Sequence, residues 1–182
     1  MADPLSLAVL GGAAATEGIK FLYGQAAEVI KAWRARQQDR EQPLEVPIVE
    51  TSVLDARPAG TAVDPAVLAQ AHTTMLKLWQ QLAPYAQNLE TVEDTDVELA
   101  RAAGELRALL EAAYGQRFTF RGERREPTGT RVAVEQVLGT VAGLAVGVEG
   151  DIGPGATVVV RQHADEVTAE GAVFGVKGRI SG

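Results

Sequence analysis

The chain has 182 residues, no cysteine, two histidines and a formal net charge of −7. Disulfides, thiolate metal sites and cysteine nucleophiles are therefore excluded. A sequence pI of about 4.9 argues against a broad nucleic-acid surface, which needs clustered positive charge. Arginine outnumbers lysine (only Lys20, Lys31, Lys77 and Lys177), and Asn88 is the single asparagine. That bias fits a high-GC, bacterial coding sequence. No basic n-region precedes the uncharged Pro4–Thr16 stretch, and thirteen residues are too few to span a bilayer. A cytoplasmic location is the expectation.

Residues 1–38 read as one long helix, from Leu5 to Gln38. Ile19, Leu22, Ala26, Val29 and Trp33 recur at spacings of three and four and draw an apolar stripe. Its opening, Leu7 to Ala15, is apolar or small on every side, so it must be covered by something. Gly11 with Ala15, and Ala14 with Gly18, place small residues four apart, which permits close helix approach. Leu7, Leu10, Ala14, Gly18, Leu22 and Trp33 are the candidate contact residues, toward the chain's own core, a partner or a lipid surface.

Residues 39–63 are expected to be an extended connection, since Pro43, Pro47 and Pro58 interrupt regular structure. A helical hairpin over 64–115 follows. Asp64-Pro65 is an N-cap with proline at the first helical position. Pro84 predicts an end or kink near Leu82. Thr95-Asp96-Val97-Glu98 fits a capping box, and Gly115 a C-terminal stop. With the first helix this makes a three-helix unit.

From residue 116 the period becomes two. Arg117 to Arg121 alternate with Phe118 and Phe120 on one face, which predicts a half-buried strand. Ten of the 19 glycines fall between 130 and 182, among many valines. This is strand and turn chemistry. Within it, Val132-Ala133-Val134-Glu135-Gln136 matches Val158-Val159-Val160-Arg161-Gln162, and Val141 matches Val167. After a two-residue insertion, Ala145 to Ile152 matches Val173 to Ile180. The expectation is an internal duplication, residues 131–152 and 157–180, inside a β domain of residues 116–182. Neither copy can bury its apolar face alone, so stacking of the two is expected. If they stack, Glu149 meets Lys177 and Asp151 meets Arg179. Val134, Gln136, Val148, Val160, Gln162 and Val176 are the candidate contact residues. This segment resembles bactofilin-type β-solenoids, in which G-x-I punctuates short valine-rich strands, and the stacked β-arcs of signalling amyloids. The resemblance is confined to residues 131–182.

Catalytic constellations are weak. Serine occurs only at Ser6, Ser52 and Ser181, with no G-x-S-x-G elbow. His72 reads as a helix-edge residue and His163 as solvated surface. Glu90 to Glu98 lack calcium-loop spacing and suit a helix start. No phosphate-binding glycine motif is present. Arg117, Arg121, Arg124, Arg125 and Arg131 form a candidate anion or partner patch, interleaved with Glu123 and Glu126. No catalytic, cofactor or metal residues are assigned.

The fold expected is α+β, with a three-helix unit followed by a Val/Gly-rich β domain, antiparallel or solenoid-like. The function expected is a non-enzymatic interaction or assembly protein that forms homo-oligomers or docks a protein partner through the first helix and the β repeats. The alternative is a membrane-associating effector whose first helix inserts in lipid after assembly.

Overall fold

A computed structural model describes residues 5, 7–36, 44–49, 51–150 and 156–178. The chain is α+β, with helices first and strands last. It divides into two units, residues 1–129 and 130–182. The division lies beyond residue 116, where the change of period suggested it. Residues 116–129 belong with the helices.

In the first unit, α1 (Leu7–Leu10) and α2 (Gly12–Arg36) replace the single helix expected. Gly11 separates them at φ 74°, a conformation open to glycine at no steric penalty. Residues 37 and 38 lie outside the described residues. Helix α3 (Pro65–Ala86) starts where Asp64 accepts a hydrogen bond from the Ala66 N–H. It runs one turn past Leu82, because Pro84 falls where little helix remains to be interrupted. Helix α4 (Val97–Tyr114) is capped by Asp96 rather than Thr95; the Asp96 carboxylate accepts from the Leu99 N–H. Gly115 closes α4 in the left-handed conformation.

The three long helices run alternately up and down. Tyr23 stacks on Trp79 while Trp33 lies beside His72, so α2 and α3 are antiparallel. The Asp64 N–H donates to the Ala113 carbonyl and the Tyr85 hydroxyl to Asp96, so α3 and α4 are too. Leu22, Ala26 and Val29 of α2, Leu68, Met75 and Leu82 of α3, and Ala103, Leu106 and Leu110 of α4 form the core.

The connection is extended but tightly held. Glu45 bridges Ala62, a 3-10 turn occupies Thr51–Val53, and Leu44, Val46 and Leu54 are buried. Gln25, buried on α2, donates to the Pro47 carbonyl and the Tyr114 hydroxyl, and accepts from the Val49 N–H. Tyr114 in turn donates to the Val46 carbonyl. Each polar group here has a partner, as burial requires.

The alternation after Gly115 does not make a half-buried strand. Only Gln116–Arg117 is a strand (β1), and Phe118, Thr119 and Phe120 are all buried. The connection covers the second side: Leu54 bridges Phe120, and the Thr119 carbonyl accepts from the Asp55 N–H. Both phenylalanines meet Phe21 edge-on, at ring separations of 5.7 and 5.8 Å.

The second unit holds β2 (Gly129–Val141), β3 (Leu144–Glu149), β4 (Thr157–Val167) and β5 (Ala172–Lys177). Strand β2 pairs with β4, and β3 with β5, both in parallel. The antiparallel alternative is thereby set aside. Each two-strand stretch turns between its strands and lies on the next, which makes neighbouring strands run the same way.

Candidate interaction site

The residues aligned by the sequence match are the residues paired in space. Val132 faces Val158, Val134 faces Val160, Gln136 faces Gln162 and Val141 faces Val167. Beyond the first turn, Ala145 faces Val173, Val148 faces Val176 and Glu149 faces Lys177. The longer offset on the β3–β5 side is absorbed by Thr168–Gly171, which replaces the two-residue turn Ala142-Gly143. There the Thr168 N–H donates to the Val141 carbonyl and the Ala172 N–H to the Gly143 carbonyl, so the layers stay joined at the corner.

Side chains repeat the pairing. The Gln162 Nε2 lies 2.8 Å from the Gln136 Oε1, and the Gln136 Nε2 lies 3.5 Å from the Val146 carbonyl. Turning the Gln162 amide exchanges its bond for one to the Phe174 carbonyl at 3.2 Å, with the Gly147 N–H donating to its oxygen. Val146 and Phe174 are themselves register partners. Both orientations therefore bond Gln162 within the same pair of layers. On the outside, Lys177 Nζ lies 3.1 Å from the Glu149 carboxylate. Both are over half exposed, so this contact adds little stability. Glu135 and Arg161 are also register partners of opposite charge. Asp151, Ile152, Arg179 and Ile180 lie outside the described residues.

Glycine lets β3 come close to β4 and β5. A Cβ at Gly147 would run into Val160 Cγ1 and lie 2.7 Å from the Gly175 carbonyl oxygen. At Gly171 it would run into the Val141 carbonyl. The outer edges of β3, β4 and β5 carry no further strand among the described residues. Such edges present unpaired N–H and C=O groups.

The six candidate residues of the first helix are placed differently. Leu7, Gly18 and Leu22 are buried in the unit's own core, and Gly18 sits against the Phe120 ring, which a Cβ would approach to 3.3 Å. Leu10 and Trp33 are half-buried and Ala14 is exposed. Trp33 lines an apolar groove of about 260 Å³ with Val29, Ile30, His72 and Met75. No helix among the described residues is long and apolar enough to cross a membrane.

The arginine cluster is largely engaged within the chain. Arg117 pairs with Glu126, Arg125 lies 3.1 Å from Glu111, and Arg121 donates to the Leu54 carbonyl. Arg124 is exposed. Arg131 lies in β2. Sequence reading missed Arg107, whose guanidinium is 2.6 Å from Glu123 with both side chains under 5% exposed. It also missed Gln25. Both residues fall on the buried stripes by spacing: Arg107 is four beyond Ala103 and three before Leu110, and Gln25 three beyond Leu22. His72 and His163 are exposed, the latter 3.6 Å from Asp165.

Burial pushes the Tyr114 hydroxyl above its ordinary pKa. Burial, with Glu90 and Asp96 nearby, pushes Tyr85 up to about 12. Both tyrosines thus stay protonated and act as hydrogen-bond donors. Compared with protein-family models, with curated proteins and with solved structures, the chain matches none.

Proposed function

We propose that this protein is a non-enzymatic assembly protein that self-associates through its C-terminal β unit. The two repeats are read as an internal duplication forming a two-layer β-solenoid. The observation that carries this reading is the register: Val132–Val158, Val134–Val160, Gln136–Gln162, Val141–Val167, Val148–Val176 and Glu149–Lys177 are all repeat positions and all register partners. The β4–β5 layer carries the same pattern of valines and glutamine as the layer beneath it, and its outer edges carry no further strand among the described residues. Solenoids of three or more layers are the usual stable size. Two layers therefore leave apolar area and backbone groups that a further copy can cover.

The first helix contributes less to this reading. Leu7, Gly18 and Leu22 are used by the core, so docking through them requires α1 and α2 to leave it. The three-helix unit is better read as the folded body that the β unit joins to its neighbours. A lipid-inserting role for the helix needs the same opening.

Size-exclusion chromatography with light scattering on the full chain, over a range of micromolar concentrations, tests the proposal. Species larger than 19.2 kDa that grow with concentration are expected. A monomer at every concentration overturns it.

A further inference from the structure

We infer that two copies of the chain pair through the free edge of β4, antiparallel, about a two-fold axis that passes at His163. This inference rests on the self-association proposed above and adds the edge, the direction and the register. The strand order β1-β2-β4 leaves β4 at the edge of its sheet, while the other side of β2 already carries β1. A second copy therefore reaches this sheet at β4.

Along β4, Val158, Val160, Gln162 and Ala164 are half-buried, while Arg161, His163 and Asp165 are exposed and share the outer face. Arg161 faces Glu135 on β2. Ala164 and Glu166 face Leu138 and Thr140, which sets Gly139 across from Asp165. Asp165 thus has no side chain opposite it within the chain. Its ion-pair neighbour is His163, two residues earlier on the same strand, at 3.6 Å. Val167, farther along this strand, is 47% exposed.

Two like edges related by a two-fold axis perpendicular to the sheet run antiparallel and keep their outer faces on one side. One residue then lies on the axis, opposite its own copy. An axis at Arg161 or at Asp165 opposes two like charges. An axis at His163 sets Arg161 of each copy opposite Asp165 of the other, twice, and sets Val159 opposite Val167. Opposite charges directly across a strand pair attract and like charges repel. Each Arg161 then lies between Glu135 of its own chain and Asp165 of the other copy. Shifting one strand by a single residue sets the outer face of one copy beside the inner face of the other. The two copies bring four layers together, above the three at which stacked repeats are usually stable. The contact is isologous, so it closes at two copies.

The chain has no cysteine, so the full-length variants His163→Cys and Val137→Cys each carry one thiol. Val137 is the register partner of His163 and is 78% exposed, which makes it the accessible control. In the paired copies the two thiols at position 163 lie directly opposite, with Cα atoms about 4.5–5.5 Å apart, inside disulfide range. The two thiols at position 137 are three strand spacings apart, about 14 Å, and out of reach. Under mild oxidation, His163→Cys should form disulfide-linked dimers at least about tenfold faster than Val137→Cys. Asp165→Arg opposes Arg161 with a like charge and should raise the dimer dissociation constant about tenfold. The triple variant Glu135→Arg, Arg161→Glu and Asp165→Arg restores opposite charges within the chain and between copies, and should return the constant to the wild-type value.

Association in light scattering, with equal rates of cross-linking at positions 163 and 137, overturns the inference while leaving self-association standing. If the wild type never associates, both fall. Asp165→Arg associating as tightly as the wild type also overturns the inference. So does a triple variant that keeps the wild-type circular dichroism yet associates no better than Asp165→Arg.

Discussion

Gln162 lies directly over Gln136, with 2.8 Å between its side-chain nitrogen and the Gln136 Oε1. The two residues are 26 positions apart in sequence and one strand apart in space. Half-buried amides that bond to one another specify register more than they add stability. Replacing Gln136 with leucine removes this contact, while Gln162 keeps the Phe174 carbonyl and the Gly147 N–H within reach. A loss of about 0.5–1.5 kcal/mol is expected for the β unit. The double leucine variant should lose less than the sum of the two single changes, and a double-mutant cycle by denaturant titration measures this.

Gly147 is expected to tolerate no side chain. A methyl group there meets Val160 and the Gly175 carbonyl, neither of which sits at the end of a flexible chain. Gly147→Ala should destabilise the β unit by about 1–3 kcal/mol and weaken assembly. Gly139→Ala is the control, since nothing lies within 4 Å of its added Cβ. Equal stability of the two variants contradicts the close approach of β3 to β4 and β5.

The Arg107–Glu123 pair should behave as a buried ion pair. Glu123 also accepts from the Phe120 N–H, which ties the turn after Phe120 to α4. Arg107→Met strands the carboxylate, with an expected loss of about 3–5 kcal/mol in chemical denaturation. Adding Glu123→Gln removes the stranded charge and keeps an acceptor for Phe120, so the double variant should recover part of that loss.

Alkaline pH should loosen the helical unit. Tyr85, raised by burial and by Glu90 and Asp96 to about 12, ionises in the unfolded chain near 10. The unfolded state therefore releases this proton first, and stability falls as pH rises from about 10 to about 12. Tyr114, also raised by burial, acts in the same direction. Tyr85→Phe should flatten the decline in thermal midpoint across that window. An unchanged slope removes Tyr85 from the account.

Much of the fold was legible because single residues carry local rules. Asp64 and Gly115 cap helices where capping chemistry puts them. Gly11 falls inside the single helix that the apolar pattern predicts and is a break between two. Phe118 to Phe120 were misread for a physical reason. Alternation reports one dry face, but Thr119 can be buried too, because its hydroxyl donates to the Glu126 carbonyl and its N–H to Thr128. Those partners lie in a turn with no periodic signal. The arginine cluster shows the same limit: Arg125 is matched by Glu111, fourteen positions earlier and on a different element. The pairing of Val134 with Val160, Gln136 with Gln162 and Val148 with Val176 was legible because the matched stretches compare the chain with itself. Strand direction was not, since alternation and glycine turns suit parallel and antiparallel pairing alike.

Electron microscopy of the purified full-length protein, with diffraction from the same sample, tests the central claim most directly. Assemblies of more than one chain that give a strand-to-strand spacing of about 4.7–4.8 Å are expected. Discrete particles of monomer size, without that spacing at any concentration, would contradict it.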